Sequence, residues 1–187
     1  LIIGNAAYSS VAPLANPVND ATDLAAALTR IGFDVSLATN LDGGDMRNAL
    51  RAFRDKADGA EMAMIYFAGH GIEIDNQNYL IPVDANLRSD SDVLFDTIPL
   101  DLLNEAVSRA KTLRMVLVDA CRNNPFLGQI EVADSSRSIG RGLSPFEPTG
   151  GTLVAFAAKG GTVALDGNGR NSPFMKGLLA HLEQPGL

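Results

Sequence analysis

The chain has no tryptophan, one cysteine and two histidines among its 187 residues. A single cysteine rules out an intrachain disulfide and a multi-cysteine metal site. Long apolar runs are also missing, since none approaches the roughly 18 residues that cross a bilayer as a helix. Cationic side chains are scarce: 15 Lys and Arg stand against 22 Asp and Glu, a formal charge of -7. With no basic stripe carrying interleaved aromatics, this balance argues against nucleic-acid binding. It suits cationic partners, although a solvated acidic surface is its commoner meaning. The phosphate loop G-x-x-x-x-G-K-[ST] is absent, and Gly4-Asn5-Ala6 does not continue as G-x-G-x-x-G, so a nucleotide-binding domain is a minor alternative. No G-x-S-x-G elbow serves a serine hydrolase.

What remains is ordinary globular composition, 46% hydrophobic and 20% charged, in a length that suits one domain with a sizeable core. Leu1-Ile2-Ile3 before Gly4-Asn5 reads as the end of a first core strand. A chain that begins inside a strand is expected to have lost its start, and what precedes Leu1 would decide whether the domain is cytoplasmic or exported. Val18, Ala21, Ala25, Leu28 and Ile31 share a helical face, with Asn16 or Asn19 as cap and Gly32 as stop. A second strand is predicted over Phe33 to Ala38. Met46, Ala49, Leu50, Phe53 and Ala57 then mark an amphipathic helix. A third strand, Glu61 to Phe67, ends in Ala68-Gly69-His70-Gly71. Beyond it, Ile72-Glu73-Ile74 and Tyr79-Leu80-Ile81 read as a hairpin across Asp75 to Asn78. Asp84 to Asp96 is predicted as a polar loop. Leu102, Leu103, Ala106, Val107 and Ala110 mark a third helix. The span 123–151 lacks sustained periodicity, and a loop that long is functional or disordered. Thr152 to Ala157 reads as a buried strand, Gly160 to Asn171 as a glycine-rich loop, and Ser172-Pro173 as cap and first residue of a helix to about Leu182. Strand and helix alternate, which predicts an α/β fold with a mostly parallel sheet and helices on both faces.

Chemistry gathers where two strands stop. Arg114-Met115-Val116-Leu117-Val118 ends in Asp119-Ala120-Cys121-Arg122-Asn123, and the third strand ends at a histidine between two glycines. The carboxyl edge of such a sheet is where α/β folds place their sites. Alone, a lone cysteine reads as a small buried hydrophobe and a lone histidine as a satisfied core residue. Together they make a nucleophile and its base. The thiolate is the minor species at neutral pH, and an adjacent imidazole raises its share as an ion pair, then protonates the departing amine. The glycines let backbone come close to a ligand.

Phe67-Ala68-Gly69-His70-Gly71 with Asp119-Ala120-Cys121-Arg122 resembles the caspase-fold cysteine peptidases, peptidase family C14, nearest their bacterial metacaspase-like or orthocaspase branch. The caspase signature Q-A-C-[RQG]-G follows a histidine by about 50 residues, the separation of His70 and Cys121. Asp119 replaces its glutamine and Asn123 its glycine. The resemblance implies a three-layer α/β/α sandwich and a single catalytic domain over 1–187. Within it, residues 1–122 would be large-subunit-like, 123–151 a linker, and 152–187 small-subunit-like and shortened at the end. It also implies a His70 and Cys121 dyad and an oxyanion hole from the amides of Gly71 and Cys121. No asparagine or aspartate stands out to orient His70.

In caspases the residue two before the nucleophile lines the S1 pocket. Here that residue is Asp119, and Asp20 matches a second acidic pocket residue of metacaspases. Two carboxylates in one cleft favour Arg, then Lys, at P1, Arg pairing in bidentate fashion. Their plainer readings are a helix-capping acid for Asp20 and a loop-binding acid for Asp119. Ala68 stands where metacaspases often have serine, and Pro17 where they have cysteine. The resemblance makes the segment after the nucleophile a place of self-processing, with Arg137 and Arg141 as candidate sites. The partners it implies are peptide or protein substrates with Arg or Lys at P1, the oligomeric state staying open. No cofactor is required. Calcium activates many metacaspases, but Asp84, Asp90, Asp92 and Asp96 match no calcium loop and read as a solvated face. The alternative from another class is a catalytically silent caspase-like interaction module.

Overall fold

The computed structural model describes residues 1–121, 125–126, 128–131, 139–140, 143–144, 151–157 and 169–184. Five parallel strands form its centre: β1 (Ile2–Gly4), β2 (Leu37–Thr39), β3 (Met62–Ile74), β6 (Leu113–Cys121) and β8 (Thr152–Phe156), in the spatial order β2-β1-β3-β6-β8. Three short strands, β4 (Gln77–Leu80), β5 (Ile98–Pro99) and β7 (Ile139–Gly140), extend the far end of β3 in antiparallel fashion. Among the described residues five helices accompany them: α1 (Pro17–Arg30), α2 (Gly43–Ala57), α3 (Asp90–Asp96), α4 (Leu100–Val107) and α5 (Pro173–Leu182).

Strand alternation sorts the core into two layers. Ala63, Ile65 and Phe67 of β3, with Val116, Val118 and Ala120 of β6, pack beneath Met46, Leu50 and Phe53 of α2 and Leu103 and Val107 of α4. Met64, Tyr66 and Ala68, with Leu117, face Ala21, Leu24 and Leu28 of α1 and Met175 of α5. The three-layer α/β/α architecture expected from the sequence is therefore present. Odd-numbered β6 residues share the α1 and α5 side, which brings Asp119 toward those helices. A third cluster, including Tyr8, Ile72, Ile81 and Phe126, fills the space beyond the parallel edge.

Several expectations need correction. β2 is a three-residue ladder over Leu37–Thr39, paired with Ile2–Gly4, rather than Phe33 to Ala38. β3 does not stop at its histidine; it runs unbroken to Ile74. The hairpin turns on two residues, Asp75 and Asn76, both at positive φ, as a tight primed turn requires. The Asp84 to Asp96 span holds α3, begun by a capping box in which Ser89 and Asp92 satisfy each other's backbone; only Val93 and Asp90 of that helix are buried, so apolar periodicity gave no signal. β8 is an edge strand among the described residues, with Leu153 55% exposed, instead of a buried one. Ile139 and Gly140, read as loop, pair with Ile74 and Glu73.

Phe67 is fully buried at the centre of β3. Phe67→Ala is expected to remove about 3–5 kcal/mol of stability, read as a lowered urea midpoint with an unchanged slope.

Candidate active site

The β3–β6 ladder runs from Met62 opposite Leu113 to His70 opposite Cys121. The two residues singled out in the sequence are thus direct neighbours on adjacent strands, whose backbones lie about 4.8 Å apart. His70 is buried, 4% exposed. Gly71 follows the last β6 pair and stands opposite Leu80 of β4. A methyl at Gly71 would come within 3.0 Å of Leu143 and 3.3 Å of Ala120. At Gly69 it would stand 2.6 Å from the Tyr8 hydroxyl. At Gly69 the approach leaves no room for a Cβ, whereas at Gly71 Leu143 and Ala120 would have to yield by a few tenths of an ångström.

Beside this edge lies a narrow hollow of about 10 Å³, room for a water-sized group, lined by Asp20, Ala68, Gly69, Asp119 and Ser172, with Leu14, Asn16 and Pro17. The three residues expected in the S1 pocket, Asp20, Asp119 and Ala68, therefore line one space. Each arrives from a different element: Asp20 from the first turn of α1, Ala68 from β3, Asp119 from β6. Asp20 is not the cap of its own helix, for Asn16 occupies that position. It is 1% exposed and instead accepts from the Ser172 N–H at 3.1 Å. Asp119 accepts from the Ser172 hydroxyl at 2.7 Å and, at 3.4 Å, from Tyr66.

Ser172 was legible as a helix cap, and it does accept from Met175 N–H at the start of α5. Its second role, joining both acids, was not legible. The signal lay in position alone: the cap of α5 falls over the end of β6. Arg170 supports the same seam by pairing with Asp23 at 2.9 Å, and Asn19 donates to the Arg170 carbonyl at 3.2 Å. Tyr8 was also missed, although its hydroxyl accepts the His70 N–H at 2.7 Å. Arg137 and Arg141 lie outside the described residues.

Electrostatics follow from burial. Desolvation raises the Asp20 carboxyl above its ordinary range, against the lowering effect of hydrogen bonds from Asn171 and Ser172, with Asp23 adding a further upward push. Burial, then the charges of Asp119 and Asp20, push the Tyr66 phenol far up, so it stays protonated and can donate to Asp119.

The four acids read as a solvated face are in part tied into the chain. Asp92 accepts from the Arg88 and Ser89 amides, Asp84 from the Gly43 amide, and Asp90 is buried at 1% exposure. Among the described residues no group of three or more His, Cys, Asp or Glu could hold a metal ion, and no helix is long and apolar enough to cross a membrane.

A raised carboxyl in the folded state means that the folded chain binds more protons than the unfolded one, so this group's contribution to stability is lost as pH climbs from its ordinary 3.8 through the raised value. Asp20→Asn, which never ionises, is expected to gain stability relative to the parent over that climb. Thermal melts at a series of pH values would show it, and parallel curves would contradict it.

Comparison with known proteins agrees with this geometry. The caspase domain family (Peptidase_C14) matches residues 1–187. The human mucosa-associated lymphoid tissue lymphoma translocation protein 1 is 31% identical over 138 residues, covering 72% of this chain and 16% of that protein. Its mouse homolog is 30% identical over the same length and the same shares. The chain thus spans about a sixth of these relatives. Among solved structures, caspase-1 of Spodoptera frugiperda superposes with a TM-score of 0.62 at 17% identity, over 97% of this chain and 66% of that one. Protein GSU0716 of Geobacter sulfurreducens gives 0.50 at 15%, over 70% and 56%. A three-layer sheet whose central strands set a histidine beside a cysteine, matched along its whole length by one family, belongs to the caspase domain family of cysteine peptidases.

Proposed function

We propose that this domain is a cysteine endopeptidase that cuts after Arg, and less readily after Lys, with His70 and Cys121 as its dyad. The observation that carries the reading is the hollow in which Asp20 and Asp119 meet, lined also by Gly69, the residue before His70. Asp20 is buried and Asp119 partly buried beside it, and a guanidinium is the side chain whose fork matches paired carboxylates best. Two acids at the pocket also favour the metacaspase-like, orthocaspase branch over caspases that accept aspartate.

The hollow would have to widen to take a basic side chain, and the following carbonyl would then lie over the end of β6 and the His70 segment of β3. The Cys121 thiolate attacks its carbon, and the amides of Gly71 and Cys121 receive the oxyanion, each such donor being worth roughly 3 kcal/mol in other hydrolases. Protonated His70 gives its proton to the departing amine. Water, activated by neutral His70, then releases the thioester and restores the thiol. Pairing of a guanidinium with Asp20 favours its ionised form, so binding releases a proton where that carboxyl is still partly protonated. Affinity for Arg-terminated ligands is therefore expected to weaken as pH falls through the raised Asp20 range.

The deciding experiment is turnover of fluorogenic peptides ending in Arg, Lys, Asp or Ala, with and without calcium. Hydrolysis after Arg that disappears in Cys121→Ala supports the reading. No turnover and no labelling by an Arg-directed covalent probe, from folded protein, would leave the silent interaction module in its place. Asp119→Asn is expected to lower kcat/KM for Arg substrates on the order of 10²-fold, equivalent to ~3 kcal/mol for one partner of a partly buried charge pair, and to affect an Ala-terminated peptide far less. Mass spectrometry of purified protein should find cuts after Arg137 or Arg141 in the parent and none in Cys121→Ala.

A further inference from the structure

We infer that Tyr8 is a positioning residue for His70, supplying a hold for which no asparagine or aspartate stands out in the sequence. This rests on the reading of His70 as the acid and base of the site. Tyr8 lies between β1 and α1 and is 7% exposed. Three hydrogen bonds close a ring around the histidine: His70 N–H donates to the Tyr8 hydroxyl at 2.7 Å, that hydroxyl donates to the Ile81 carbonyl at 3.2 Å, and Ile81 N–H donates to the His70 carbonyl at 3.0 Å. The peptide groups on both sides of the His70 Cα are thereby fixed.

The side chain is held as well. The phenol ring of Tyr8 lies 4.5 Å from the imidazole, centroid to centroid, at 49°, and Phe126 meets the imidazole edge-on at 6.2 Å. Contacts between rings restrict the imidazole plane without calling on its nitrogens, which proton transfer needs. Gly69 makes the approach possible, since a Cβ there would stand 2.6 Å from the Tyr8 hydroxyl. The segment that carries Tyr8 is itself anchored, because Asn40 Oδ1 accepts from the Ala6 and Ala7 amides at 2.9 and 3.0 Å. Tyr8 bears on both the backbone and the ring of His70, so its effect on the reaction passes through the imidazole.

Two substitutions separate the hydroxyl from the ring. Tyr8→Phe keeps the ring contact and removes the backbone bond; Tyr8→Leu removes both. In Tyr8→Phe, kcat on an Arg-terminated peptide is expected to fall about tenfold with KM within about twofold, and the His70 amide should exchange faster with solvent. In Tyr8→Leu the imidazole proton resonances should also move, which is readable because His181 is the only other histidine. Alkylation of Cys121, the sole cysteine, by iodoacetamide should slow in both variants and slow no further when Tyr8→Phe is added to His70→Ala. Circular dichroism confirms that each variant is folded at the temperature used. Wild-type kcat in both variants, a loss confined to KM, or an additive effect on the His70→Ala background would overturn the proposal. Absence of turnover in the parent would instead remove the peptidase reading, while amide exchange and imidazole resonances would still decide whether Tyr8 holds His70.

Discussion

Register between β3 and β6 is the constraint on which the rest depends. Nine successive pairs, from Met62 and Leu113 to His70 and Cys121, decide which residues share each level of the sheet. A slip of one residue would exchange the faces of an entire strand. Ile65 and Phe67 would then leave the layer beneath α2 and α4, and Tyr66 would enter it. The apolar core thus enforces the alignment at the polar tip. Packing far from the chemistry sets the spacing of the histidine and the cysteine.

The second feature is negative charge withdrawn from water beside that edge, Asp20 fully and Asp119 in part. Two acids drawn out of water have to be met by donors or by a cation. Part of the requirement is satisfied from within the chain, by the N–H and hydroxyl of Ser172. Since Ser172 also begins α5, the positive end of that helix is directed at the carboxylates. The same small residue therefore orders a helix and fixes the two acids at the hollow they line.

Much of this was legible in residue order. The segments Gly69-His70-Gly71 and Asp119-Ala120-Cys121 stood out because apolar runs give way there, even though β3 continues to Ile74, and the β-strand and helix periods of the core segments were strong. The edge pieces were harder to read. β2 pairs over three residues only, Leu37–Thr39, and α3 is held by a capping box with one buried apolar residue. Ser172 and Tyr8 could not be assigned to the site from sequence, since the contacts that matter lie across 53 and 62 residues of chain. A serine before proline and a tyrosine in a loop carry no local mark of such partners. The pairing of Asp20 with Asp119 became a candidate through family likeness, and their separation along the chain gave no other hint.

The join between the two expected subunits has its own consequence. Residues on either side of the 123–151 span are bound to each other by the ladder from Arg114 opposite Thr152 to Val118 opposite Phe156, by Arg170 on Asp23 and by Ser172 on both acids. Were the backbone severed within that span, the halves would stay clasped as one particle. A sizing column would register a single species of unchanged radius, and only a denaturing gel would reveal two polypeptides.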